Sequence, residues 1–130
     1  MKEKKTVNPT DAELEILQVL WAHGPGTVKQ VQERLPGKPV RGYTTILKLL
    51  QIMSEKGLVK RDESSRAHIY SANFSLEYTR KNLVARLMDK AFDNSLSSLI
   101  TGALSAKPAS RRELAEIRKL LDELEGERDD

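Results

Sequence analysis

The sequence contains no cysteine, only two histidines and few aromatic residues, and these shortages exclude several classes of protein. Without cysteine, the chain has no disulfide bond, no thiol nucleophile and no cysteine-ligated zinc, iron–sulfur or copper site. The two histidines, His23 and His68, are too few for an all-histidine metal site. We therefore expect neither a metal ion nor another cofactor.

Long apolar runs are also missing. No segment approaches the roughly 18 consecutive apolar residues of a membrane-spanning helix. The charged start of the chain is followed by polar sequence instead of the apolar stretch of a signal peptide. These two features predict a cytoplasmic protein that does not enter the membrane.

The 130 residues are enough for one domain, or for one small domain with an appendage. A composition of 38% hydrophobic and 32% charged residues is typical of a soluble, helix-rich globular protein. The net charge of +3 is unevenly distributed, since residues 1–72 hold 12 Lys and Arg against 8 Asp and Glu, and residues 73–130 hold 10 against 11. This asymmetry directs attention to the front half, but it does not by itself establish nucleic-acid binding.

The front half has the pattern of three helices and a hairpin. Capping boxes at residues 10–13 and 27–30 begin two helices, because each threonine and the Glu or Gln three residues later can bond to the other's backbone N–H. A third helix ends at Gly57, and its predicted inward face is formed by Ile46, Leu49, Leu50 and Met53. Two extended stretches then flank a polar turn at residues 62–65. Residues 8–72 therefore predict a winged helix-turn-helix domain.

Residues 75–125 have the pattern of three amphipathic helices, followed by a charged tail, residues 126–130, that we expect to be disordered. So small a helical region can hardly bury its apolar faces alone, which favours a two-fold homodimer. The alternative is that these helices fold back on the front domain of a monomer. The residues expected to form the dimer contact are Leu83, Leu87, Leu96, Leu99, Ile100, Leu104, Leu114, Ile117 and Leu121.

The third helix and the hairpin carry the residue types that bind duplex DNA. A helix in the major groove needs a polar outer face, short side chains near its start and cations for the phosphates. Threonine hydroxyls can donate to phosphates, lysine can reach a phosphate or guanine, and glutamine can pair with adenine. The predicted DNA contacts are Arg41, Thr44, Thr45, Lys48 and Gln51 on the helix and Lys60, Arg61 and Arg66 on the hairpin. An ordinary solvated helix face and a basic surface hairpin are the alternative interpretation.

Several stretches resemble the BlaI/MecI penicillinase-repressor family. They are TDAELEIL (residues 10–17), LW (20–21), GPGTVKQV (24–31), YTTI (43–46), KGLV (56–59) and RAHIY (66–70). Each stretch is common among winged-helix proteins, but their order and spacing together are specific, and the resemblance runs from about Pro9 to Leu124. It implies a homodimeric repressor that binds inverted-repeat operators with TACA/TGTA-type half-sites in front of resistance genes. In that family the front domain reads DNA and the C-terminal helices dimerise.

The sequence also departs from the family pattern. Lys48 stands where the family commonly has threonine and Ile52 where it has arginine, so one phosphate contact is expected at the earlier position. Staphylococcal members are inactivated when a protease cuts an Asn-Phe bond in the dimerisation helices, and the corresponding pair here is Gly102 and Ala103. Cleavage there would sever the dimer, although the sequence does not show that a sensor protease acts on it. The cysteine cluster of the copper-responsive relatives is absent, which excludes copper sensing by that route.

The sequence thus predicts a non-enzymatic transcriptional repressor of β-lactamase or related stress genes, relieved when its dimer is lost. No arrangement of residues indicates a catalytic site, since the serines at positions 95, 97 and 98 have no nearby histidine. The competing interpretation is a protein-interaction scaffold, in which a winged helix binds no DNA and the helical tail binds a different protein.

Overall fold

The computed structural model describes residues 8–37 and 41–128. In chain order the elements are α1 (Asp11–His23), α2 (Val28–Arg34), α3 (Tyr43–Lys56), β1 (Val59–Asp62), β2 (Ile69–Ala72), α4 (Leu76–Ala91), α5 (Leu96–Ala106) and α6 (Arg111–Arg128). This order confirms the predicted fold class, mainly helical with one small hairpin and a winged helix-turn-helix at the front. The chain divides into two compact units, and the division falls inside α4, between Val84 and Ala85. The sequence pattern instead places the boundary between residues 72 and 75.

Both predicted capping boxes are present. The Thr10 Oγ1 atom accepts a hydrogen bond from the Glu13 N–H at 3.2 Å, and Glu13 Oε1 accepts from the Thr10 N–H at 3.0 Å. Thr27 and Gln30 make the same two bonds at 3.1 and 3.0 Å. The boxes satisfy backbone donors that have no partner inside the helix, and they set where α1 and α2 begin.

The core of the first unit lies where α1, α2, α3 and the hairpin meet. Three predicted inward residues of α3, Ile46, Leu50 and Met53, are completely buried, whereas Leu49 lies at the edge of the core. Helix α3 then stops at Gly57, whose φ of 84° is the left-handed conformation that glycine adopts without strain. The remaining buried residues of this core are Ile16, Leu17, Leu20, Val28, Val31, Leu58, Val59 and Tyr70.

The hairpin is antiparallel, with Val59 paired to Ala72 and Asp62 paired to Ile69. Residues 63–68 connect the strands, so the turn is longer than the four residues predicted. A third backbone segment joins the hairpin near the start of β2, because the Gly26 N–H donates to the Tyr70 carbonyl at 3.0 Å and the Tyr70 N–H donates to the Gly26 carbonyl at 2.8 Å. These bonds fix the hairpin against the loop that precedes α2.

The second unit contains the end of α4 and all of α5 and α6, and neither α5 nor α6 has a buried residue in the single chain. Helix α6 runs to Arg128, so it includes residues 126–128 of the tail that the sequence predicts to be disordered; residues 129–130 lie outside the described part of the chain. Among the helices of residues 8–37 and 41–128, none combines the length and the apolar character needed to span a bilayer.

Candidate nucleic-acid interface

The outer face of α3 is polar and free of the core. Thr44, Thr45, Lys48 and Gln51 are all exposed, on the side of the helix opposite the buried residues. This separation follows from the helical repeat of 3.6 residues, which places positions 44, 48 and 51 on one face and positions 46, 50 and 53 on another. The two threonines lie in the first turn, where short side chains allow a close approach to a ligand.

Arg41 precedes α3 and contacts the other two helices of the first unit. Its Nη2 atom lies 2.6 Å from Glu15 Oε1 in α1, and its carbonyl accepts a hydrogen bond from Gln32 Nε2 in α2 at 2.9 Å. Its Nη1 atom is buried and has no acceptor among the described residues. Unlike Lys48, therefore, Arg41 is already held by a carboxylate of the same chain.

The hairpin carries both cations and anions at its tip. Lys60, Arg61 and Arg66 are exposed, but Arg61 Nη2 lies 2.7 Å from Glu63 Oε2. The Ser64 N–H donates to Asp62 Oδ1 at 2.9 Å, and this backbone hydrogen bond holds the pKa of Asp62 below its ordinary value of 3.8. The tip thus places two acidic side chains, Asp62 and Glu63, beside its arginines.

A cleft of about 470 Å³ opens between α2, the start of α3 and the part of the hairpin formed by the turn and the start of β2. Its polar rim includes Lys29, Arg66, Thr27 and His68, and among the residues that the structure describes no acidic side chain lines it. Sequence patterns missed Lys29, Tyr43 and His68 as interface candidates, because the hairpin comes beside α2 through tertiary contacts, the Gly26–Tyr70 backbone bonds and the packing of Tyr70 in the core. The lining is completed by Val28, Leu47, Ala67 and Tyr70.

Comparison with known families decides which kind of protein presents this surface. Residues 9–123 match the model of the family described as penicillinase repressor. The chain belongs to the penicillinase repressor family. The resemblance found in the sequence is thereby confirmed, and the relatives of the chain in this family are transcriptional regulators and repressors.

Individual relatives agree with this assignment. The penicillinase repressor of Bacillus licheniformis is 23% identical over 120 residues, which cover 92% of this chain and 94% of that protein. The transcriptional regulator BlaI of Mycobacterium tuberculosis is 37% identical over 79 residues, which cover 60% of this chain and 54% of that protein. A crystal structure of a transcriptional regulator from Thermotoga maritima shares the fold, with a TM-score of 0.51 and 20% identity over 90% of this chain and 74% of the other.

In this member of the penicillinase repressor family, the helices that follow the hairpin expose large apolar side chains. Of the predicted dimer residues, Leu83, Leu99 and Ile117 are half-buried in the single chain, and the others are exposed. Among the large apolar residues of the second unit that are exposed, the exposed fraction runs from 37% for Leu114 to 60% for Leu96. The exposed predicted residues are Leu87, Leu96, Ile100, Leu104, Leu114 and Leu121.

The predicted cleavage position lies in the middle of α5. Gly102 and Ala103 are both helical, and the ring of Phe92 covers Gly102 so closely that a Cβ atom there would lie 3.0 Å from Phe92 Cε1. Within residues 8–37 and 41–128, no group of three His, Asp or Glu side chains is arranged to hold a metal ion.

Proposed function

We propose that this member of the penicillinase repressor family is a homodimeric transcriptional repressor that binds inverted-repeat operator DNA. The observation that carries the proposal is the polar face of α3, where Thr44, Lys48 and Gln51 project from the folded first unit. A face of this size and polarity fits the major groove, in which lysine and glutamine side chains can bond to base edges. The chemistry required is binding alone, so we assign no catalytic role and no cofactor to the protein.

The cleft beside α3 supplies the contacts that would position this helix on DNA. Lys29 lies on α2 and Arg66 on the hairpin, and both line the same cleft with no acidic neighbour in its lining. Phosphate contacts of this kind set the register of a protein on the duplex without reading sequence. We infer that the DNA backbone passes over this cleft, with Lys60 and Arg66 as the hairpin contacts.

The exposed apolar residues of the second unit support a homodimer. Two helices with no fully buried residue gain little stability from apolar burial within one chain, whereas the same surfaces on a second copy would cover them. Linking two DNA-binding domains makes the second half-site contact intramolecular, which raises affinity by about 10²–10⁴ over a single domain. Loss of the dimer would then release the operator without any change in α3.

The regulated genes are proposed from the relatives. A protein similar to a penicillinase repressor would control β-lactamase or other antibiotic-resistance or stress genes from the cytoplasm, where the chromosome lies. Relief by a sensor protease that cuts between Gly102 and Ala103 is consistent with the dimer proposal. Because proteases prefer exposed loops, such a cut would require α5 to unwind locally.

Binding of the full-length protein to a labelled random-sequence duplex tests this function. We expect a fluorescence-anisotropy titration to show non-specific affinity that falls as salt increases. A dyad sequence from the DNA upstream of the gene should then bind more tightly than the random duplex. Absence of any salt-dependent binding would overturn the proposal and favour the protein-interaction scaffold.

Replacing Lys48 with alanine should weaken DNA binding and flatten its salt dependence. An exposed lysine that neutralises one phosphate contributes about 0.9 to the slope of log K against log salt, and the variant should lose that amount. Lys81→Ala, which removes an exposed lysine from α4, is the matched control and should change the slope by much less. An unchanged slope in Lys48→Ala would reassign Lys48 to base contact or to solvent.

A further inference from the structure

Two of the arginines predicted to contact DNA are already bound by carboxylates of the first unit. Arg61 pairs with Glu63 at 2.7 Å and Arg41 pairs with Glu15 at 2.6 Å. All four side chains remain partly in water, with exposed fractions of 35% and 53% in the first pair and 36% and 51% in the second. In this first unit the cations on the face of α3 and in the cleft have no such partner among the described residues.

The pair on the hairpin forms locally. Arg61 lies on β1 and Glu63 follows that strand by one residue, so both side chains reach each other without a tertiary contact. The hydrogen bond between the Ser64 N–H and Asp62 Oδ1 fixes the turn that carries Glu63. The carboxylate is thereby held beside Arg61 before any ligand arrives.

A carboxylate and a phosphate compete for the same donors. The guanidinium group binds either anion through its planar fork, so an arginine held by glutamate offers fewer donors to the DNA backbone. Exposed ion pairs are individually weak, and the competition lowers DNA affinity by a small factor instead of abolishing binding. The effect falls on phosphate contacts, which supply essentially all of the affinity for DNA of arbitrary sequence.

We propose that Glu63 and Glu15 limit the affinity of the protein for non-specific DNA by holding Arg61 and Arg41 away from the phosphates. This inference rests on the proposed DNA-binding function. It adds two carboxylates that raise the preference of the protein for an operator over non-specific DNA. Contacts from Thr44 and Gln51 to base edges do not depend on either pair, so a non-specific site loses a larger share of its protein contacts than an operator does.

The test uses Glu63→Gln in the full-length chain, titrated with a random-sequence duplex at several salt concentrations. We expect the slope of log K against log salt to steepen by about 0.9, one phosphate contact, and the affinity at low salt to rise about two- to fivefold. Glu15→Gln should act in the same direction through Arg41. Glu77→Gln removes the same charge from an exposed position on α4 and should leave the slope unchanged.

A double-mutant cycle with Arg61→Ala shows whether Glu63 acts through its arginine. We expect Arg61→Ala to change the slope little in the wild-type background and to remove the whole gain in the Glu63→Gln background. If the steeper slope of Glu63→Gln persists without Arg61, Glu63 repels DNA directly. If Glu63→Gln leaves the slope unchanged, Glu63 has no effect on the phosphate contacts. Either result overturns this inference alone, whereas failure of the wild-type protein to bind the duplex overturns the proposed function as well.

Discussion

Aspartate in place of Ile117 is expected to convert the protein from dimers to monomers. Ile117 lies in the apolar stripe of α6, where it is half-buried in the single chain and would be fully covered by a second copy. A carboxylate buried there has no cation to pair with in an apolar contact, and its desolvation is not recovered. Affinity for a two-half-site operator should fall by about 10²–10⁴, because the second contact is no longer intramolecular. Sedimentation velocity measures the first effect and anisotropy the second.

Ala115→Asp is the matched control for this substitution. It adds the same charge to the exposed opposite side of α6 and should leave the dimer intact. Binding of Ile117→Asp to a duplex with a single half-site should equal that of the wild-type domain, since α3 is untouched. Dimers of Ile117→Asp at micromolar concentration would refute the proposed interface.

The second large effect is expected from Lys56→Met, which should lower the free energy of unfolding by about 2–3 kcal/mol. Glu13 is 2% exposed, and Lys56 Nζ lies 2.8 Å from both of its carboxylate oxygens. This pair ties the start of α1 to the end of α3. Removing the lysine leaves a buried carboxylate with only the Thr10 N–H as donor. Because Lys56 is partly exposed to solvent, the loss of stability stays below that expected for a fully buried pair. Urea unfolding followed by circular dichroism measures the change.

Lys48→Met provides the control for that experiment. It makes the same replacement on the exposed face of the same helix, where substitutions usually change stability by less than about 0.5 kcal/mol. Equal stabilities of Lys56→Met and Lys48→Met would contradict the structural role of the ion pair.

The same pair gives stability a dependence on pH. Burial raises the pKa of Glu13, but the hydrogen bonds from Lys56 and Thr10 and the charge of Lys56 outweigh it, so the pKa lies below the ordinary 4.5. The folded state therefore favours the ionised carboxylate, which contributes stability above pH 4.5 that is lost as the pH falls through the lowered value. Unfolding midpoints of Glu13→Gln should depend less steeply on pH below 4.5 than those of the wild type. Identical pH profiles would show that Glu13 does not couple ionisation to folding.

Local signals in the sequence predicted most of the secondary structure. The capping boxes at Thr10 and Thr27 and the stop at Gly57 are set by backbone groups a few residues away, and the structure has them where expected. The inward and outward faces of α3 also follow from its helical period. The length of the hairpin turn did not follow, because the antiparallel register depends on packing across the strands.

Whether a cation is available to bind DNA was harder to predict from the sequence than whether a helix face is polar. A pattern of residues shows that Arg41 and Arg61 are cationic and near the right elements, but not that each is held by a glutamate. Glu15 is far from Arg41 in the sequence, so that pair arises only when α1 packs beside the start of α3. The cleft containing Lys29 and Arg66 has the same origin, since it forms where the hairpin packs beside α2, with Gly26 bonded to Tyr70.

The order of amino acids alone determined which family the chain belongs to, where its helices begin and end, and which side of α3 meets water. The family follows from the order and spacing of short motifs. The helix ends and the faces of α3 depend on interactions within a few residues, which a linear pattern records. Folding alone decided that Arg41 is held by Glu15, which carboxylate is buried against Lys56 and where the cleft opens. Those properties depend on distances between segments far apart in the chain, and such distances are fixed only when the core is packed.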